Sequence, residues 1–360
     1  MTSRRTAVRR APGKLFVVGE YAVVEPGTPS ILVAVDREIT VTVSEAAGGD
    51  TVISSDLGPR TRSAHVVAAV ETVGRLLAER GLPVPALDVS VSSRLHENGR
   101  KFGLGSSGAV TVASVAAVAA FCGLDLSHDQ VFRLALLATA RIDPKGSGGD
   151  LAASTWGGWI EYRAPDRAFV LELSCDHGVE EALRAPWPGF EVRRLPPPRG
   201  LALQVGWTGR PASTTSHVSA LHRRTWWGSA AHRTFVETST DIVRVAADAL
   251  ESGDGTGLLR QIRRARHELA RLDEEAGLGI FTPELTALCD AAESVGGAAK
   301  PSGAGGGDCG IALLDADASP DIAHVRERWA AAGVRPLPIR PAKERHEEDR
   351  HDRRHRPTQG

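Results

Sequence analysis

Apolar residues recur along this chain with the periods of secondary structure rather than in one long run. Residues 15–18 and 30–43 read as strands, the second rich in Ile, Val and Thr and alternating around Ile39, Val41 and Val43. Over 64–79 the positions Val66, Val67, Val70, Val73, Leu76 and Leu77 keep helical spacing, and Gly81 with Pro83 stops that helix. Residues 87–93 alternate as a half-buried strand, and 106–121 form a helix almost entirely of Ala, Val and small residues, suited to burial with close backbone approach. A helix over 128–140, a hairpin over 156–173 and a strand over 201–207 follow. Beyond them the pattern predicts helices at about 215–252, 256–275 and 283–295, a strand at 310–314, a helix at 320–332 and a strand at 334–340. Strands and helices are interspersed without a regular βαβ rhythm, so the expected class is α+β. Pro196-Pro197-Pro198 marks a domain boundary, dividing 1–198 from 199–341. From Lys343 to Arg356 every residue is charged or His, so 342–360 is expected to be an unstructured tail.

Composition narrows the function classes. With 42% hydrophobic residues among 360, the chain can bury a large core. Forty-three Lys+Arg against 44 Asp+Glu leave a net charge of −1, which offers no global field for nucleic acid. Four cysteines without CxxC spacing are too sparse to staple the chain and point to a reducing, cytoplasmic compartment. The basic N-terminus has no apolar h-region, and no stretch stays uncharged and apolar for the roughly 18 residues of a span, so neither secretion nor a membrane partner is expected.

Lysine usage is pointed. Only five of the 43 basic residues are lysines, and Lys14, Lys101, Lys145 and Lys300 lie in or beside glycine-rich segments. A compact, strongly hydrated ammonium is a good point charge for a phosphate. Gly103-Leu-Gly-Ser-Ser-Gly108 opens a helix, where backbone N–H groups and the positive helix end converge on an anion. The string also matches G-x-G-x-x-G, but Arg94 to Phe102 separate it from the preceding strand and the only acid at the right distance, Asp125, ends a helix, which disfavours a dinucleotide fold. No Walker string and no protein-kinase signature is present. Lys145-Gly-Ser-Gly-Gly-Asp150 presents one carboxylate that could orient a nucleophile, take its proton or hold Mg²⁺, or could simply cap a helix. Lys300-Pro-Ser-Gly-Ala-Gly-Gly-Gly-Asp308 is permissive enough for successive N–H groups to form an anion nest. Trp207-Thr-Gly-Arg-Pro-Ala-Ser-Thr214 offers hydroxyls and Arg210, for ligand contact or helix capping.

Three glycine-rich motifs in this order resemble the GHMP superfamily of galactokinase, homoserine kinase, mevalonate kinase and phosphomevalonate kinase: Ala11-Pro-Gly-Lys-Leu-Phe-Val-Val-Gly-Glu20, Gly103-Leu-Gly-Ser-Ser107 and Ser302-Gly-Ala-Gly-Gly-Gly-Asp308. Within it, Gly19-Glu-Tyr-Ala-Val-Val24, Lys101 to Val110, Gly146 to Asp150 and Trp207 to Thr214 look most like the phosphomevalonate kinase branch, and the similarity spans about residues 10–340. The resemblance implies a two-domain GHMP kinase fold, with an N-terminal ribosomal-protein-S5-like α/β domain, a ferredoxin-like C-terminal domain and ATP between them. It implies that Gly103, Leu104, Gly105, Ser106, Ser107 and Gly108 wrap the ATP phosphates, Ser107 also binding Mg²⁺, while Ser302, Gly303, Gly305 and Gly306 close on the nucleotide. Asp150, Lys14 and Lys101 take catalytic positions, and Lys14, Glu20, Tyr21, Lys145, Ser147, Ser213, Thr214 and Gly306 take acceptor-binding ones. The implied reaction is ATP-dependent phosphorylation of (R)-5-phosphomevalonate to (R)-5-diphosphomevalonate by a monomer or homodimer. Rivals are a mevalonate kinase with an alcohol acceptor, a diphosphomevalonate decarboxylase, and a non-catalytic ligand-binding relative. One departure stands out: mevalonate kinase carries a metal-binding glutamate upstream of its catalytic aspartate, and between Thr139 and Gly149 this chain has only Asp143 as an acid.

Overall fold

The computed structural model describes residues 5–56, 63–97, 99–211 and 226–346. Two long strands, β1 (Thr6–Val18) and β2 (Pro29–Glu45), pair antiparallel and form the spine of a six-stranded sheet. On the far edge of β2, residues 39–45 pair with β4 (Leu87–Ser93) and residues 29–33 with β7 (Trp159–Arg163). β3 (Val52–Ser55) adds parallel to β4, and β8 (Glu191–Leu195) antiparallel to β7. A two-residue hairpin, β5 (His96–Glu97) and β6 (Arg100–Lys101), stands apart. The second sheet is wholly antiparallel, in the order β10 (Ala298–Pro301), β11 (Cys309–Asp315), β9 (Leu201–Trp207), β12 (Arg335–Leu337).

Helices α1 (Ala64–Glu79), α2 (Ser106–Phe121), α3 (His128–Ala140) and α4 (Gly149–Trp156) belong to the first sheet; α5 (Arg167–Asp176) and α6 (Gly178–Arg184) lie between β7 and β8. α7 (Ala230–Ser252) packs on α8 (Gly255–Ala276) and on β2 of the first sheet, while α8, α9 (Pro283–Glu293) and α10 (Ser319–Ala331) pack on the second. α2 is buried on all sides, between β1 and β2 and the helices α1, α3 and α4, which its small side chains allow. α3 starts at a capping box, Ser127 with Gln130, and its buried face is Val131, Phe132, Leu134 and Ala135. The main apolar core is continuous between the sheets: Val205, Trp207, Ile311 and Leu313 of the second join Leu15, Val17 and Ile31 of the first. Among the described residues no helix is long and apolar enough to cross a membrane.

Three expectations need correction. The hairpin over 156–173 does not form. β7 ends at Arg163, Asp166 accepts bonds from the Ala168 and Phe169 amides as the N-cap of α5, and the antiparallel partner of β7 is β8, two helices later. Phe169, Val170, Leu171 and Leu173 mimic strand residues, but the aspartate cap decides the outcome. The first strand starts at Thr6, not at residue 15, because its Arg-rich half pairs with β2 and shows alternate residues to solvent. Finally, residues 342–346, expected in an unstructured tail, lie along the first sheet: Pro341 bridges Val35 and Glu344 bridges Gly157. The predicted start of the helix at 215–252 falls on residues outside those described; the described part begins at its Ser229 cap.

Candidate active site

The site grows from an irregularity in β1. Pro12 faces Glu38 but Lys14 faces Ala34, so the register slips at Gly13. There the Lys14 amide donates to the Leu104 carbonyl (2.9 Å), and a Cβ on Gly13 would stand 2.7 Å from that same oxygen. Only glycine lets the Gly103–Gly108 segment come this close.

Gly105 is left-handed (φ 71°) and caps α2. The first intrahelical bond runs from the Ala109 amide to Gly105, so the amides of Ser106, Ser107 and Gly108 have no acceptor within the helix and point beyond its positive end. α4 starts in the same way, after left-handed Gly148 (φ 78°), and places Asp150 in its first turn. The two helix starts meet: a Cβ on Gly108 would lie 2.5 Å from Asp150 Cγ. Lys14 completes the group, its aliphatic stem 3.0 Å from where a Gly105 Cβ would stand and its Nζ 5.0 Å from the centre of the Phe16 ring. Burial lowers the Lys14 pKa below the usual lysine value; Asp150, Asp308 and Glu20 act in the opposite sense but do not fully compensate.

The third glycine segment arrives from the second sheet and is tied down. The Ser302 hydroxyl is buried, accepting from the Phe16 amide (2.9 Å) and donating to the Phe16 carbonyl (3.0 Å). Lys300, wholly buried, pairs with Glu20 and donates to the Pro301 carbonyl (2.7 Å). The Gly303 amide points at the same Glu20 carboxylate (3.4 Å), the Tyr21 hydroxyl donates to Ala304 O, and the Gly306 amide donates to Ile280 O (2.8 Å). These bonds occupy part of the hydrogen-bonding capacity expected to be open to an anion. The side chain of Ser302 and the amides of Gly303 and Gly306 serve protein acceptors or donors, and Lys300 is neutralised rather than offered to a phosphate. Glu20, expected at the acceptor, pairs with Lys300 and also lines the adjoining cleft.

This half-open cleft, about 510 Å³ of empty space including its mouth, lies beside the group. Phe16, Tyr21, Val23, Val24 and Ala304 make its apolar wall, and Asp143, Lys145 and Ser147 its polar one. Lys145 is exposed, as is Lys101 on β6. The structure thus gathers Lys14, Asp150, Gly105 and Gly108 at one point and Tyr21, Lys145 and Ser147 around the adjoining pocket. Ser213 and Thr214 lie outside the described residues.

Three residues escaped sequence reasoning. Tyr162, buried in β7, donates to the Ser147 carbonyl (2.6 Å) and so fixes the loop before α4. Arg167 bonds the Val24 carbonyl (2.7 Å) and the Pro144 carbonyl (3.3 Å), joining the two walls of the pocket. His65, in the first turn of α1, has its pKa lowered by burial, with Asp150, Lys101 and Asp143 as its charged neighbours. None sits in a motif; only the fold brings them here.

Comparison with known proteins agrees with this geometry. The model of the GHMP kinases N terminal domain matches residues 64–158, and that of the GHMP kinases C terminal domain matches 246–331. A phosphomevalonate kinase from Streptomyces sp. (strain CL190) is 70% identical, covering 95% of this chain and 99% of its own. A mevalonate kinase from Aeropyrum pernix is 29% identical, over 86% of this chain and 89% of its own. Among solved structures, Streptococcus pneumoniae phosphomevalonate kinase in complex with phosphomevalonate and AMPPNP superposes with a TM-score of 0.83 at 27% identity, over 93% of this chain and 99% of that one. With two glycine-opened helices converging on one lysine and one aspartate, and with relatives of this identity and coverage, the chain belongs to the GHMP kinase family.

Proposed function

We propose that the chain is a phosphomevalonate kinase, transferring the γ-phosphoryl group of ATP to the phosphate of (R)-5-phosphomevalonate. The observation that carries the acceptor is the 70% identity with the Streptomyces phosphomevalonate kinase across 95% of the chain, against 29% for the mevalonate kinase. The site's chemistry agrees. ATP phosphates fit at the α2 start, where amides without intrahelical partners meet the helix dipole. The acceptor fits the adjoining pocket, its carbon skeleton on Phe16, Tyr21, Val23 and Val24 and its charged groups toward Lys145 and Ser147.

Phosphoryl transfer asks the protein mainly to position reactants and offset charge. A phosphate monoester has its second pKa at about 6, so the attacking oxygen is already ionised at neutral pH and little base catalysis is needed. The barrier is the approach of two anions. Lys14, between the α2 start and the third segment, takes that charge, with Lys145 in the pocket wall and exposed Lys101 on β6 as further cations; Asp150 orients the acceptor and holds any residual proton. Mg²⁺ fits the donor set: Ser107 and Asp150 present oxygens on the touching first turns of α2 and α4, and an ATP-bound Mg²⁺ needs one or two protein oxygens beside phosphate and water. When bound it supplies further neutralisation of the phosphates.

The test is ADP release by the purified protein with Mg-ATP on 5-phosphomevalonate, on mevalonate and without acceptor. Turnover confined to 5-phosphomevalonate is expected. Preference for mevalonate would overturn the acceptor, and silence on both would overturn both named acceptors and turn the test to other small alcohols before a ligand-binding relative.

A further inference from the structure

α4 is short, eight residues, or about 12 Å at 1.5 Å per residue. Asp150 stands at its first turn, so a small tilt at the far end is felt by the carboxylate. That far end is held by Arg345. The Arg345 Nη1 donates to the Ser154 carbonyl (2.9 Å) and its amide to the Trp156 carbonyl (2.9 Å). Both are terminal carbonyls that an α-helix leaves without intrahelical donors, and a guanidinium there opposes the negative helix end. Arg194 locks the arrangement from β8, donating to Arg345 O (2.5 Å) and Trp156 O (3.2 Å).

The same segment reaches Lys14 by two routes. Ser154, whose carbonyl takes the Arg345 bond, donates its hydroxyl to the Pro12 carbonyl (2.7 Å), two residues before Lys14. The Ala342 amide donates to Ala34 O (2.8 Å), and Ala34 is the cross-strand partner of Lys14. The crossing is close-packed: a Cβ on Gly157, at a positive φ, would lie 2.5 Å from the Lys343 carbonyl. We infer that the segment Pro341–Arg345 is a strap across the back of the catalytic group, and that Arg345 is a positioning residue which holds Asp150 and Lys14 in register through α4. This rests on the catalytic reading of Asp150 given above.

The test uses full-length protein, 5-phosphomevalonate and Mg-ATP. Arg345→Ala is expected to lose about tenfold in kcat, as small misplacements of reacting groups do, with KM for ATP changed less than about twofold. The fraction of protein that binds a fluorescent ATP analogue stays at the parent level, and Arg345→Lys, which keeps a charged donor, recovers part of the loss. Arg194→Ala, which releases the Arg345 carbonyl, gives a smaller loss of the same kind and serves if Arg345→Ala does not fold. Unchanged kcat in the soluble variants, or a kcat loss that merely tracks a lost fraction of binding-competent protein, overturns the strap. Asp150→Asn is run alongside: full turnover there refutes the catalytic reading itself, whereas an inactive Asp150→Asn beside a fully active Arg345→Ala refutes only the strap.

Discussion

The segments Gly103–Gly108 and Ser302–Gly307 are nearly alike in composition and opposite in use. The first begins a helix, and its amides at Ser106, Ser107 and Gly108 lack acceptors within that helix. The second is stitched to the first motif by a buried hydroxyl, a buried ion pair and a tyrosine. Glycine permits close packing of chain on chain in both, but only the first also opens a helix whose leading amides lack intrahelical acceptors. Composition alone therefore does not distinguish a phosphate cradle from a hinge that has been fastened shut.

Substitutions can break that contrast, and the largest effect is expected at the stitches. Lys300→Met leaves Glu20 buried and unpaired, which should cost about 3–5 kcal/mol of stability. Chemical denaturation measures it, and adding Glu20→Gln should restore most of the loss; an unaltered midpoint in the single variant would mean that the pair is not buried. In the first segment the loss should fall on turnover instead. Gly108→Ala places a methyl where Asp150 Cγ now lies, 2.5 Å away, and displacement of the carboxylate should lower kcat about a hundredfold with little change in Tm. Normal kinetics in that variant would separate Asp150 from the α2 start. Ser302→Ala removes the partner of both Phe16 backbone groups and should cost about 1–3 kcal/mol while KM for ATP hardly moves. A large rise in that KM with stability intact would instead make Ser302 a nucleotide ligand.

The smallest effect is a shift along the pH axis. Burial lowers the Lys14 pKa, so its charge is lost as pH rises through a value below the ordinary 10.5. kcat/KM, which reports the free enzyme, should fall there. Stability moves the other way: the cost of burying the ammonium is fully present below the folded pKa and is relieved between that value and 10.5, where the unfolded chain binds more protons. Lys14→Arg keeps its charge throughout, so pH profiles of the two proteins should part on the alkaline limb. Coincident limbs would place the titrating group elsewhere.

Much was legible in the chain itself. Periodicity predicts α1, α2, α3, β4 and β9 at the bounds the structure has, because these elements bury a regular face or, for α2, every face. The glycine motif locates the α2 start, while at α4 the sequence offers only Asp150 as a possible cap, and the structure puts left-handed Gly148 at the cap and Asp150 in the first turn. Sequence could not say what each lysine does. Lys14, Lys101, Lys145 and Lys300 look equivalent beside their glycines, yet Lys300 is buried against Glu20, 280 residues away, and Lys14 is buried beside Asp150, while Lys101 and Lys145 are exposed. Tyr162, Arg167, His65 and the Arg345 strap are equally silent in the chain, since none belongs to a local pattern. Local bonding and hydrophobic period act over a few residues and are written in sequence. Which charges are desolvated, and which backbone groups find partners across hundreds of residues, depends on how the two sheets close on one another, and only the tertiary structure decides it.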